Sequence, residues 1–224
     1  MGANVEFQVD GGTSEGYLTR PSENSGPGVL VLPAWWGLGE QIRSVADRLA
    51  EEGFVVLAPD VYRGETALGA DEGLKLAEAL PADRAAGDLT GAASYLSGAV
   101  GGPIGVLGFG LGGSLALWAA GLSDDVVSAV AFYPLVPWQP AAPDWSAFGG
   151  TAAVVHAADE DAATTGPELE LAKKAVEQAG GEFTVYEYPG TKRGFYNDDR
   201  TDSYDHRSAT TAWARSLELL RRTS

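Results

Sequence analysis

The stretch Ile104-Gly105-Val106-Leu107-Gly108-Phe109-Gly110-Leu111-Gly112-Gly113, continued by the Ala/Leu-rich Ser114 to Ala120, reads as an apolar strand that passes through a glycine turn into a helix. Its frame, Gly108-x-Gly110-x-Gly112, has the spacing of the sharp elbow on which some enzymes mount a nucleophile at the central position. The outer glycines suit such a turn, because neighbouring backbones approach so closely that a Cβ would clash. The centre is Gly110, which has no side chain and nothing with which to attack a carbonyl. The turn thus predicts a layered α/β architecture, while its occupant argues against the chemistry that usually accompanies it.

Working outward from this elbow, apolar strands and amphipathic helices alternate along nearly the whole chain. This is the pattern of a mostly parallel sheet with helices on both faces. Strands are predicted at Val5 to Val9, Gly16 to Thr19, Val29 to Leu32, Phe54 to Ala58, Ile104 to Phe109, Val127 to Tyr133, Ala152 to His156 and Phe183 to Tyr188, the first two as an antiparallel hairpin at the sheet edge. Ile42, Val45, Ala46 and Leu49 follow i, i+3, i+4, i+7 spacing, as do Leu89, Ala92, Ala93 and Leu96. Gly166-Pro167-Glu168 opens a later helix, predicted to bury Ala172, Ala175, Val176 and Ala179, and a final helix turns Trp213, Leu217 and Leu220 inward. The expected fold class is therefore α/β, with a central sheet of about eight strands. At 224 residues without repeats or linkers, a single domain over 1–224 is expected.

Composition narrows the function classes. A net charge of −16, from 31 acidic against 15 basic residues, opposes binding to a phosphate backbone, so no nucleic-acid partner is expected. The acids are scattered rather than blocked, as on a well-solvated surface. A hydrophobic content of 45% argues for a folded core, and no apolar run is long enough for a bilayer span, so no membrane partner is expected. Met1-Gly2-Ala3-Asn4-Val5-Glu6 lacks the basic and apolar regions of a secretion signal, which leads to an expected cytoplasmic location. The absence of cysteine excludes disulfides and thiolate catalysis. Acidic pairs such as Asp124-Asp125 and Asp198-Asp199 have no histidine at ligand spacing, and the glycine run lacks the Lys-Ser/Thr ending of a phosphate loop; no metal or cofactor is expected.

The chain resembles the dienelactone hydrolase family. The resemblance is carried by Gly28-Val29-Leu30-Val31-Leu32-Pro33-Ala34-Trp35-Trp36-Gly37-Leu38, by Leu57-Ala58-Pro59-Asp60-Val61-Tyr62-Arg63-Gly64, and by the elbow itself. It continues through Ala131-Phe132-Tyr133 and Tyr188-Pro189-Gly190 to Phe195-Tyr196-Asn197-Asp198-Asp199-Arg200, and spans residues 16 to 222. It implies an α/β-hydrolase fold and, for typical members, a Cys-Asp-His triad with a first-loop glutamate that holds the thiol. Carried over position by position, the cysteine falls at Gly110, the aspartate at Asp161 (or Asp159 if the register slips), the histidine at Arg193 and the glutamate at Ala34. Only the aspartate keeps its chemistry, since arginine stays protonated and accepts no proton.

Substitutes are scarce. Ser114 is expected to point into packing or the helix backbone, and His156, inside a strand, to be buried and hydrogen-bonded. His206 is either an exposed residue at the start of the last helix or, by a loop excursion, a visitor to the cleft. The resemblance leaves a backbone oxyanion hole from the Leu111 N–H and an amide near Trp35. Arg193 is expected to pair with Asp161, to make the pocket electropositive, or both. Tyr133, at the carboxyl end of a parallel strand, is a candidate donor. Trp35, Trp36, Ala34 and Phe195 are candidate ligand contacts; Arg63 would either take a substrate carboxylate or pair with Asp60 or Glu65. Three readings remain open for a monomer or homodimer with a small-molecule ligand. They are non-covalent cyclisation, isomerisation or elimination with Asp161 as base or orienter, ligand binding without turnover, and weak hydrolysis through Asp161 or His206.

Overall fold

The computed structural model describes residues 2–136, 142–159, 161 and 166–222. Strands β1 (Ala3–Val9), β2 (Gly12–Thr19), β3 (Gly28–Leu32), β4 (Val55–Pro59), β5 (Ile104–Phe109), β6 (Val126–Phe132), β7 (Ala152–Ala158) and β8 (Glu182–Tyr188) form one sheet in the order β1-β2-β4-β3-β5-β6-β7-β8. The pairings β1–β2 and β2–β4 are antiparallel and all others are parallel. All eight predicted strands are present. The hairpin is longer than expected, since Asp10-Gly11 closes it with Val9 opposite Gly12 and Gly11 at φ +81°. An Asp-Gly pair between strands is a strong hairpin signal that apolar patterning alone passes over.

Helices α1 (Glu40–Glu51), α2 (Ala70–Ala79), α3 (Ala82–Val100), α4 (Leu111–Leu122), α5 (Pro167–Ala179) and α6 (His206–Arg222) complete the layers, with a 3-10 turn at Trp145–Ala147. Period-two alternation in β3 divides the core. Leu30 and Leu32 pack with Leu89 and Leu96 of α3 and Leu115 of α4, whereas Val29 and Val31 pack with Ile42 and Leu49 of α1 and Trp213 of α6. The predicted inner faces of α1, α3 and α6 are buried. That of α5 is corrected, for Leu169, Ala172 and Val176 are buried while Ala175 and Ala179 are half-exposed. Helix α2 is not among the predicted elements; it turns Gly73, Leu76 and Ala77 toward the core, with Leu80 just past its end, at i, i+3, i+4, i+7 spacing. Among the described residues no helix is long and apolar enough to cross a membrane.

The strand order places the site. From β3 the chain goes to β4 on one side, then crosses back to β5 on the other. The loops leaving the carboxyl ends of β3 and β5 therefore part at a switch point, where open α/β sheets form a crevice. Those loops carry Ala34-Trp35-Trp36 and Gly110.

Candidate functional site

The elbow has the expected geometry. Gly110, between β5 and α4, sits at φ 56° and ψ −117°, a conformation that L-residues adopt only under strain. Its N–H donates to the Phe132 carbonyl at 2.9 Å, and its own carbonyl accepts from Gly113 and Ser114 at 3.0 and 3.2 Å. A Cβ at Gly112 would strike the Leu32 and Pro33 carbonyl oxygens, so backbone crowding explains that glycine. Gly110 differs. A Cβ there would meet only the Ala34 Cβ and Arg193 Nη1, each 3.8 Å away, which is ordinary contact. As the first residue of α4, Leu111 has an N–H with no acceptor inside the helix, and it lies at the positive end of the helix dipole.

Arg193 and Asp161 meet as expected. Nη2 lies 2.9 Å from Asp161 Oδ2, the two side chains being 33% and 9% exposed. Asp159, the other possible register, instead accepts from the Gly190 N–H at 2.9 Å and fastens the loop after β8. Asp161 does not line the cleft; Arg193 does, together with Gly110, Leu111 and Tyr133. The Tyr133 backbone is held at φ 39°, its N–H donating to the His156 carbonyl at 2.8 Å. Burial pushes the Tyr133 phenol above its ordinary pKa, against a smaller opposing pull from Arg193. Trp35 and Trp36, edge to face with centroids 5.9 Å apart, both wall the cleft. The enclosed volume is about 120 Å3.

Two expected ligand contacts lie elsewhere. Arg63 stands in a left-handed turn, φ 57°, that aims its guanidinium at α3 and the hairpin: Nη2 is 2.7 Å from Asp88 Oδ1, and Nη1 donates to the Thr13 carbonyl at 2.7 Å. Asp60, one of its expected partners, is engaged by the Tyr62 and Gly64 N–H groups. Phe195 is fully buried between Tyr133 and Tyr188, behind the cleft wall, because its ring completes an aromatic cluster. Sequence reasoning missed Gln41, Phe109, Leu135, Asn197 and Arg200, all of which line the cleft. Arg200 had one available signal, its position seven residues after Arg193 in the same polar loop.

The possible substitutes for a nucleophile and a base are occupied. Ser114 Oγ donates to the Leu135 carbonyl and accepts from the Leu135 N–H, both at 2.8 Å, so it clamps the loop after β6 onto α4. Ser114→Ala would leave both backbone groups without partners; an urea melt is expected to show a loss of about 1–3 kcal/mol. His156 is fully buried. Because Ser216 Oγ gives its proton to the Ala212 carbonyl, it accepts from Nε2 of His156 at 3.0 Å, and Nδ1 accepts from the Tyr188 hydroxyl at 2.8 Å. Burial, with help from Arg215, pushes this imidazole down to about 3. His206 is exposed beside the Tyr204 hydroxyl at 3.2 Å, in a separate open groove of about 640 Å3 along α1 and α6. That groove is polar and shares only Gln41 with the cleft. Among the described residues no group of three or more His, Asp or Glu side chains is placed to hold a metal.

Comparison with known proteins gives this geometry a family. A 33% identical relative from Aquifex pyrophilus, named protein usf, aligns over 95% of both chains. A 30% identical one from Aquifex aeolicus is named "Putative carboxymethylenebutenolidase" and aligns over 99% of this chain and 98% of its own. A dienelactone hydrolase-like promiscuous phosphotriesterase from metagenomic libraries superposes with a TM-score of 0.87 at 18% identity, over 100% of this chain and 98% of its own, so the fold is that of the α/β-hydrolases. The model of the dienelactone hydrolase family matches residues 14–224, and the chain belongs to that family.

Proposed function

We propose that the Gly110 cleft binds a small organic anion or carbonyl compound and stabilises negative charge on it without forming an acyl-enzyme. The observation that carries this reading is the pairing of Arg193 with Asp161 at 2.9 Å, directly across from a side-chain-free elbow. Where typical members of the family are expected to hold a thiol, an imidazole and a carboxylate, this chain has Gly110, Arg193 and Ala34. Two anionic groups are gone and a fixed cation has been added. The Leu111 N–H, at the positive end of the α4 dipole, and Arg193 then face one space, an arrangement suited to a carboxylate, an enolate or a developing alkoxide.

In the reaction this reading favours, Asp161 orients Arg193 rather than acting as base, since it stands behind the guanidinium. Tyr133, its phenol held protonated by burial, donates to the same oxygen. No carboxylate or imidazole lines the cleft among the described residues, so a reaction here draws its base from the ligand. Cyclisation or isomerisation of a substrate that carries its own carboxylate meets that condition. The same observation favours a second reading, ligand binding without turnover. One relative is named a putative carboxymethylenebutenolidase, but hydrolysis through Ser114, His156 or His206 has no support in their positions.

Asp161→Asn tests the assignment. Removing the carboxylate frees Arg193 to leave its position, so anion affinity, followed by the fluorescence of Trp35 and Trp36, is expected to fall about tenfold or more, since charged hydrogen bonds contribute about 1.5–3 kcal/mol. An unchanged affinity in the folded variant would remove the pair from the site. Turnover of aryl esters by the unaltered protein would count against the non-acyl reading itself.

A further inference from the structure

The cleft has a second guanidinium that an anion site of one charge leaves unexplained. The loop after β8 is a succession of tight turns, with Phe195 N–H to the Lys192 carbonyl at 3.1 Å, Asn197 to Gly194 at 2.9 Å, Arg200 to Asn197 at 3.1 Å and Tyr204 to Arg200 at 2.8 Å. These turns bring Arg200 back beside Arg193. Gly194, at φ 90°, lets the Arg200 stem cross it, for a Cβ there would touch Arg200 Cδ at 3.7 Å and Ser203 Oγ at 3.2 Å. Arg200 makes one ion pair among the described residues, with exposed Asp202, and at 3.9 Å it is at the limit of contact. Such an exposed pair contributes little, so most of the Arg200 charge remains for something else.

Charge accounting in the cleft follows. Two guanidiniums and a helix amino terminus face it, no acid lines it among the described residues, Asp161 stands behind Arg193 against Nη2, and Asp202 is 3.9 Å from Arg200. Nη1 of Arg193 faces the vacant space at Gly110. In a protein with a net charge of −16, a cleft whose described lining has two arginines and no acid is specific rather than incidental. The edge-to-face indoles of Trp35 and Trp36 offer flat apolar walls between the charged ends. The cleft is open to solvent on one side, and its inner part, about 120 Å3, has room for a small flat skeleton.

We propose that the cleft recognises a small flat dianion, a dicarboxylate whose one end lies between Arg193 and the Leu111 N–H while the other is held by Arg200. This rests on the reading of the Gly110 cleft as an anion site and adds to it the number of charges and a specificity-determining residue, Arg200. A charged hydrogen bond from Nη1 of Arg193 at one end and the guanidinium fork of Arg200 at the other make the second charge, rather than added apolar area, the source of discrimination.

The test is a calorimetric titration of the whole protein at low ionic strength with fumarate, a flat dianion, and with monomethyl fumarate, which has the same skeleton and one charge. Fumarate is expected to bind at least about tenfold more tightly. Arg200→Gln is expected to erase that preference while leaving monomethyl fumarate within about twofold of its starting affinity, and Arg200→Lys, which keeps the charge but not the fork, to retain part of it. Arg193→Gln should weaken both ligands. Circular dichroism of each variant checks that it is folded. Equal binding of the two ligands by the unaltered protein, or a preference that survives in folded Arg200→Gln, would overturn the dianion proposal and leave the anion site standing. Failure of both ligands to bind at about millimolar concentration, or indifference of both to Arg193→Gln, would overturn the anion site and with it the dianion.

Discussion

A chain carrying both Gly110→Cys and Arg193→His is expected to hydrolyse p-nitrophenyl acetate at least about a hundredfold faster than the unaltered protein, which on the proposed reading starts without nucleophile or base. The remaining parts are already placed. A Cβ at Gly110 finds no atom nearer than 3.8 Å, the Leu111 N–H begins α4, and Asp161 lies 2.9 Å from the Arg193 guanidinium, in position to receive an imidazole N–H. The backbone at φ 56° imposes strain on any L-residue, at a cost of about 1–3 kcal/mol, so urea melts must accompany the kinetics. Gly110→Cys alone separates the roles. Its thiol would lie beside Arg193, which favours the thiolate, so it is expected to release about one equivalent of nitrophenolate in a burst and then stall, since no base is there to activate water against the thioester. If the double variant folds and shows no gain in ester turnover, the assignment of Gly110 and Arg193 to the nucleophile and base positions is wrong.

Acid sensitivity supplies the second large effect. Buried His156 stays neutral in the native protein, its imidazole pushed down to about 3, whereas in the unfolded chain it titrates near its ordinary value of 6.5. Above 6.5 neither state takes up the proton and this stabilisation is complete. As pH falls from 6.5 toward 3, the unfolded state binds a proton that the native state refuses, and stability falls by about 1.4 kcal/mol per pH unit. From neutral pH to pH 4 that amounts to roughly 3 kcal/mol. His156→Gln keeps partners for Tyr188 and Ser216 but has no proton to gain, so its urea midpoints should fall less steeply over the same range. Parallel acid limbs for the two proteins would contradict the assignment.

How much of this was legible in the chain follows from what each feature depends on. The eight strands were readable because parallel strands buried on both faces are continuous apolar runs, and the elbow because three glycines at fixed spacing have a steric meaning. The buried state of His156 and the packing role of Ser114 could be inferred because each lies within a strand or helix, and the meeting of Arg193 with Asp161 because the family resemblance maps both onto one triad. Helix α2 was overlooked although Gly73, Leu76, Ala77 and Leu80 carry helical spacing, because a glycine and an alanine make half of that stripe weakly apolar. Arg63 was misplaced because a positive φ, which its sequence does not announce, swings it toward Asp88. The place of Arg200 in the cleft was missed for the converse reason: three consecutive turns between Lys192 and Arg200 return it there, and their closure depends on tertiary contacts rather than on local preference.

The crowding around Gly112 has an evolutionary corollary. The shape of the hinge between β5 and α4 is set by carbonyls of the adjoining strand's exit pressing on flanking residues, and nothing in that mould touches whatever stands at its apex. An ancestor could therefore shed or regain a reactive group there by a single codon change, with the surrounding chain already folded around the empty seat. A lineage built on such a hinge can abandon one reaction and explore another without passing through an unfolded intermediate sequence.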